Sequence, residues 1–366
     1  MKRILSISLL MATVFGANAQ KDTAAHVTTP PPIAITGSVD GYYRYNFDDA
    51  GNNNLTSFTN SQNSFELGMP SVRGDHHFNK GSVVVDLGFG RRAAEYSYND
   101  SSTKNNLLAL KQVYITYQAN KKAKLTLGKW GTHVGYEVLD AYSNRNYSMD
   151  YMFSFGPFFH TGLKVDIALD SAWSLMLGVA NPTDFSATTS STKVAIAQLG
   201  YTTKDSKWKG YLNYQGYYGV STAIVLNAGT NYVLAKSMSQ ADLVINGTLN
   251  KQWGIGFNVT YQSLEYTTTH SWYGLAGYLN YDPTAKLGYT LRAEYFSDKD
   301  GVKINPGVGS NITDITLSGI WKIDNCLTII PEIRIDNSST DGVFVKSGSS
   351  STKSTVSALV AVVYKF

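Results

Sequence analysis

Between Gln252 and Gln262 every second side chain is apolar or aromatic: Trp253, Ile255, Phe257, Val259 and Tyr261 alternate with Gly254, Gly256, Asn258 and Thr260. Successive side chains of a β-strand point to opposite faces, so this stretch is a strand with one oily face and one wet face. The same period returns along nearly the whole chain. Leu287, Tyr289, Leu291, Ala293 and Tyr295 oppose Gly288, Thr290, Arg292 and Glu294, while Ile329, Pro331, Ile333 and Ile335 oppose Glu332, Arg334 and Asp336. Leu212 and Tyr214 oppose Lys209, Asn213 and Gln215. The last residues follow suit, with Ala358, Val360, Val362, Tyr364 and Phe366 on one side. An apolar strand ending on an aromatic frays and aggregates in water. In a closed barrel it pairs with the first strand, and lipid covers its oily face.

Alternation alone also fits a sandwich with a wet face, so strand length and loop rhythm decide. Most segments reach the roughly 9–11 residues that a tilted transmembrane strand requires. Tight connections such as Asn120-Lys121-Lys122, Asp170-Ser171, Asn250-Lys251 and Asp324-Asn325 carry the residues turns favour. They alternate with long polar stretches near 48–63, 97–106, 131–159, 181–192, 218–240, 266–270, 299–311 and 337–352. Short turns at one end and long loops at the other are the asymmetry of bacterial outer-membrane barrels. The expected fold is all-β: a transmembrane, antiparallel, up-and-down β-barrel of about sixteen strands over residues 33–366. The stretch 218–240 reads as an outer loop or hairpin, and Ala223 to Leu234 leave a further strand pair open.

Lys2 and Arg3 precede an apolar run from Ile4 to Phe15 and a small-residue site, Ala17-Asn18-Ala19. This predicts a secretory signal peptide over 1–19 rather than a retained anchor, because charged and Thr/Pro-rich sequence follows at once. Residues 20–32, ending in three prolines, read as a periplasmic leader. Removing the peptide takes the formal net charge from +4 to +2, so no nucleic-acid surface is implied. One cysteine, Cys326, cannot form an internal disulfide. No apolar run of about 18 residues follows the peptide, which excludes spanning helices. Trp130, Trp173, Trp208, Trp253, Trp272, Trp321, Tyr364 and Phe366 sit near strand ends and are expected to form the membrane-interface aromatics, with Trp130 alternatively facing inward by parity.

Parity also selects the candidates for a pore lining: Arg44, Asp86, Arg92, Lys209, Arg292, Glu294, Glu332 and Arg334, with Asp40, Lys164, Asp166, Asp242 and Asp336 beside them. A charge on the lipid face costs roughly 2–4 kcal/mol for Arg or Lys at mid-membrane, so these side chains must face water or one another. Signs in near-equal number predict a hydrated interior of weak ion preference. The one loop that looks shaped runs from Gly131 to Thr161 and carries Glu137, Asp140, Arg145 and Asp150. Its Phe153 to Phe159 run is too apolar for open water. It folds into the lumen as a constriction, packs on a neighbouring subunit, or merely begins the next strand. In the last strand Leu359, Ala361 and Val363 should face the lumen yet are apolar, which calls for a cover by the leader or a narrow, dry section of wall.

Catalytic chemistry finds little support. The six histidines, His26, His76, His77, His133, His160 and His270, show no metal-ligand spacing. No Gly-x-Ser-x-Gly elbow occurs. Asp298 with Asp300-Gly301 departs from ordered calcium-loop spacing and reads as a polar turn. No metal, nucleotide or other cofactor is implied.

Gly135-Tyr136-Glu137, Asn146-Tyr147-Ser148, the Phe153 to Pro157 run and His160-Thr161-Gly162-Leu163 carry a family resemblance, joined by Trp272-Tyr273-Gly274-Leu275 and Arg292 to Asp298. On these residues the chain resembles the outer-membrane β-barrel porins described as OmpL-like, over nearly the whole mature length. The resemblance implies a bacterial outer-membrane barrel. Its motifs are structural and say little of the solute. With the hydrated interior, the expectation is passive diffusion of small hydrophilic solutes, and no enzyme. A non-conducting adhesion or scaffold barrel acting through its outer loops is the alternative, and a barrel hydrolase a weaker one. Expected partners are lipid and lipopolysaccharide, the barrel-assembly machinery through the last strand, and, by analogy, two further copies in a homotrimer.

Overall fold

Period-two segments pair edge to edge in the computed structural model, which describes residues 32–366 apart from 52, 101–105, 189, 220–223, 228–229, 234, 305 and 349. The expected signal peptide and all of the leader but Pro32 lie outside the described residues. Sixteen strands make one antiparallel barrel: β1 (Ala34–Asn46), β2 in two halves (Ser64–Leu67 and Ser71–Phe78), β3 (Gly81–Gly88), β4 (Leu110–Gln118), β5 (Ala123–Gly131), β6 (Phe159–Ala168), β7 (Trp173–Ala180) and β8 (Val194–Thr202). The second half comprises β9 (Trp208–Tyr217), β10 (Ser237–Thr248), β11 (Trp253–Glu265), β12 (Thr269–Tyr281), β13 (Leu287–Asp298), β14 (Ser310–Lys322), β15 (Leu327–Ser338) and β16 (Ser354–Lys365). β16 closes on β1 with Asn46 opposite Ser357 and Ser38 opposite Lys365. The ladder continues to the final residue: Phe366 N–H donates to Gly37 O at 3.0 Å and Gly37 N–H to Phe366 O at 3.1 Å. Among the described residues the barrel has no open edge.

Four of the tight turns share one device. The side-chain oxygen of Asn120, Asp170, Asn250 or Asp324 accepts the backbone N–H groups two and three residues on, at 2.7–3.0 Å. That holds the backbone in a turn and starts the next strand. These bonds also hold the Asp170 and Asp324 carboxyls below the usual carboxylate range. β2 breaks at Gly68-Met69-Pro70, where Pro70 has no N–H for the ladder and Met69 turns inward and is buried.

The described part of 218–240 contains a small hairpin, Ile224–Asn227 with Thr230–Val233, whose strands pair with each other and with no barrel strand. The outward face carries the expected apolar side chains. On β16, Val360, Val362 and Tyr364 are exposed while Leu359, Ala361 and Val363 are buried. Trp208, Trp321, Tyr364 and Phe366 lie exposed at the turn end, and Trp253 stacks on Tyr281 there at 4.4 Å. Trp272 corrects the girdle expectation. It points inward, fully buried, and donates Nε1–H to Gln262 Oε1 at 2.8 Å. Trp130 also faces inward. Two short helices lie between strands, α1 (Arg91–Tyr96) and α2 (Tyr151–Phe155).

Candidate functional site in the barrel interior

The segment 132–158, between β5 and β6, enters the barrel and crosses its inner wall from β9 to β1. The wall holds it by its backbone. Asp242 on β10 accepts Gly135 N–H at 3.0 Å, and Asn258 on β11 accepts Tyr136 N–H at 3.3 Å. Glu294 on β13 accepts Tyr151 N–H and Met152 N–H at 2.7 and 2.9 Å, meeting the otherwise unpaired first turn of α2. Glu332 on β15 accepts Tyr147 N–H and Ser148 N–H at 2.8 and 3.2 Å. Arg292 and Arg334 work in the other sense, donating to Ser148 O at 2.8 Å and Met149 O at 2.7 Å. A backbone lying across a wall rather than in a ladder must find such partners or lose them unpaid to burial.

Side chains complete the fit. Arg292 forms ion pairs with Glu137 at 2.7 Å and Asp314 at 2.8 Å, and Arg334 with Asp336 at 2.7 Å. Tyr147 and Tyr151 donate their hydroxyls to Asp40 and Asp336, and Tyr278 donates to Asp150 at 2.7 Å. Arg145 reaches Asp282 at 2.8 Å. Burial, with Asp150 beside it, raises the Glu137 carboxyl against the opposing pull of Arg292. Two inner-wall glycines are notches for this segment: a Cβ on Gly256 would strike Tyr136 and on Gly274 Met152, whereas on Gly68 and Gly288 it would strike first Asp40 and Asp282, the carboxylates that hold Tyr147 and Arg145.

Apolar clusters fill the loop end. Phe58, Ala93, Tyr96, Met149, Phe153, Phe158 and Phe159 pack together, and Met152 with Trp272, Phe296, Ile304 and Phe344. Asp184, in the loop after β7, accepts Phe158 N–H and Phe159 N–H at 2.7 and 2.9 Å, and burial raises its carboxyl to about 6. The apolar inner face of β16 has its cover: Leu359, Ala361 and Val363 pack with Ala141 and Tyr147 of the segment. The turn end holds open cavities instead. A cavity of about 660 Å³ runs from Lys80 and Gln118 up to Trp130 and Gly131, lined by Arg73, Tyr114 and Lys164 among others. A second, of about 520 Å³, lies between Lys209 on β9, the Lys251 turn and Tyr136.

Of the eight pore-lining candidates, Arg44, Asp86, Arg92, Arg292, Glu294, Glu332 and Arg334 are buried under inward-folded chain, and Lys209 is exposed to a cavity. Arg92 sits on α1 rather than a strand, donates to Leu139 O at 2.9 Å, and lies over the Phe58 and Tyr147 rings. Arg44 donates to Ser61 O at 2.7 Å, and Asp86 pairs with Lys111 at 3.2 Å. Among the segment candidates, Glu137 and Asp150 join the Arg292 cluster, Asp140 pairs with Lys111 at 2.6 Å, and Arg145 stands apart with Asp282. Asp314 was open to the parity argument, being even-numbered on β14. Tyr278, even-numbered on β12, was open to it as well, whereas Tyr147 and Asp184 lie off the strands and carried no such signal. Among the described residues no group of three or more His, Cys, Asp and Glu is placed to hold a metal ion.

A sixteen-stranded antiparallel barrel, apolar outside and polar within, with a long loop laid across its lumen, is an outer-membrane barrel of the porin type. The chain belongs to the family described as "Putative beta-barrel porin-2, OmpL-like", matched over residues 32–366, and is a protein of the bacterial outer membrane. No curated protein matches its sequence. Its fold is similar to that of the outer membrane channel DcaP of Acinetobacter baumannii, with TM-score 0.60 and 10% identity over 91% of this chain and 97% of the other. It is similar also to an anion-selective porin from Comamonas acidovorans, with TM-score 0.59 and 9% identity over 92% and 99%. The trimer form of OmpT of Vibrio cholerae gives 0.55 and 12% over the same shares. At these identities the likeness is one of fold.

Proposed function

We propose that this porin passes small hydrophilic solutes by passive diffusion, with the segment 132–158 as its fixed constriction. The observation that carries the reading is the contrast between the two ends. A polar, open vestibule rises from the turns to Gly131, where the pinned segment begins. A barrel that only displayed loops would have no use for such a vestibule. The loop end is closed by apolar contacts among the outer loops and this segment. The gradient of solute supplies the driving force, and no bond is made or broken. Residues 1–19 direct export, the β16 strand is read by the assembly machinery, and lipopolysaccharide and lipid cover the outer wall. The functional unit is a homotrimer.

One observation favours a second reading. The apolar filling of the loop end suits a non-conducting barrel that works through its exposed loops. Refolded protein in a planar bilayer separates the two: discrete conductance steps, reduced by sugars of graded size, support the pore. A silent bilayer overturns it in favour of the scaffold. Deleting 140–156 is expected to raise conductance, and an unchanged value removes the constriction.

A further inference from the structure

The charges that meet water inside this barrel are not balanced, although those on its inner wall as a whole nearly are. The buried acids are already committed. Glu294 and Glu332 accept backbone N–H groups, and Asp314 lies against Arg292 and Arg334, all away from solvent. An ion entering from the turn end does not meet them. What it meets is cationic. Lys80 lines the larger cavity, Lys209 and Lys251 the second, and Lys322 and Lys365 a third of about 360 Å³ beside Tyr142. Among the described residues none of these five lysines forms an ion pair, since the paired cations are others. The carboxylates bordering the same cavities are each engaged. Asp75 holds Arg73 at 2.7 Å, Asp282 holds Arg145, and Asp324 caps the backbone of its own turn.

We propose that the turn-end vestibule is an anion-collecting mouth, and that the solutes this porin favours are small anions bearing carboxylate or phosphate groups. The proposal rests on the pore reading above and names the solute class for it. Low-dielectric walls focus the field of fixed charges and raise the local concentration of ions of opposite sign. Rings of lysine select anions where carbonyls or carboxylates select cations. Tyr136 and Tyr211 with Asn246 and Asn280 line the second cavity as neutral hydrogen-bonding groups, so an anion held there finds donors and no free carboxylate. Lysine offers a mobile point charge rather than a fixed fork, which suits collection and release more than tight binding. The field decays within a Debye length of about 8 Å at physiological salt, so the effect belongs to the vestibule and weakens as salt rises.

The test is the reversal potential of the refolded full chain across a bilayer under a potassium chloride gradient. Chloride is expected to permeate several-fold better than potassium, the ratio growing as the salt is lowered. In the triple variant Lys209→Gln, Lys251→Gln, Lys322→Gln the ratio is expected to fall towards one, while heat-modifiable gel mobility still reports a closed barrel. Equal or cation-favouring permeability in the unaltered protein overturns the inference whatever the variant does, and so does a ratio the variant leaves unchanged. A channel that conducts without anion preference removes this inference alone; a silent bilayer removes the pore reading beneath it.

Discussion

At the scale of single residues, the interior charges do a different task from the one their spacing suggests. Arg292 is fully buried, and its guanidinium is divided among Glu137, Asp314 and Ser148 O. A lysine could supply the charge but not the forked set of donors. Asp184 performs the same anchoring at the loop end, and there pH becomes a lever. Burial raises its carboxyl to about 6 from the ordinary value near 4, against the pull of the two N–H donors. The folded state therefore prefers the protonated acid. Its contribution is fully present below about pH 4 and is lost as pH rises through 6, a difference of roughly 3 kcal/mol by linkage. Asp184→Asn keeps a residue that tolerates the left-handed backbone found here, with φ of 63°. The variant's unfolding midpoint in detergent is expected to be flatter between pH 4 and 7 than that of the parent; equal slopes would assign the pH response to other groups.

Elements show why half of the interior was legible and half was not. Which side chains point inward follows from parity, and it holds for Arg44, Lys209, Arg292, Glu294, Glu332 and Arg334 alike. It fails for Arg92, because the residues after β3 coil into α1 rather than extend. That 132–158 avoids water could be read from Phe153 to Phe159. The wall it lies on could not, since that depends on partners more than a hundred residues away, such as Tyr136 with Asn258 and Tyr147 with Glu332. Glycine was the overlooked signal: Gly256 and Gly274 interrupt wet faces where a polar side chain would serve a plain water-filled pore. Gly256→Ala should lift Tyr136 off β11 and break its stacking on Tyr278, at 4.0 Å between centroids. A loss of about 1–3 kcal/mol is expected for such overpacking. Gly277, one strand away and outward, has nothing within 4 Å of its added Cβ and serves as the control. Thermal unfolding of Gly256→Ala, Gly277→Ala and Gly256→Ala with Tyr136→Ala decides it: only the first should fall by this amount relative to its own background.

The whole molecule is lopsided in a way no single strand reveals. Strands β3 to β9 run 8–10 residues, whereas β10 to β16 run 12–13. At about 3.3 Å per residue and a tilt near 40°, the low wall stands about 20–25 Å and the high wall above 30 Å. The apolar band of such barrels is about 25 Å tall, so the high wall spans it and the low wall barely does. The low wall nonetheless carries highly exposed apolar side chains, Ile115, Leu127 and Val179. Another copy of the chain can cover that side without asking the bilayer to thin. A closed three-fold ring places the low walls together at its centre and leaves the high walls to lipid. Light scattering of the detergent-solubilised protein is expected to give the mass of three chains, and Leu127→Arg to reduce it to one. Leu291→Arg, on the high wall, places a charge against lipid and should impair insertion by roughly 2–4 kcal/mol without separating the copies that do insert. A single-chain mass for the unaltered protein in mild detergent would remove the trimer, and the low wall would then need lipid that adapts to it.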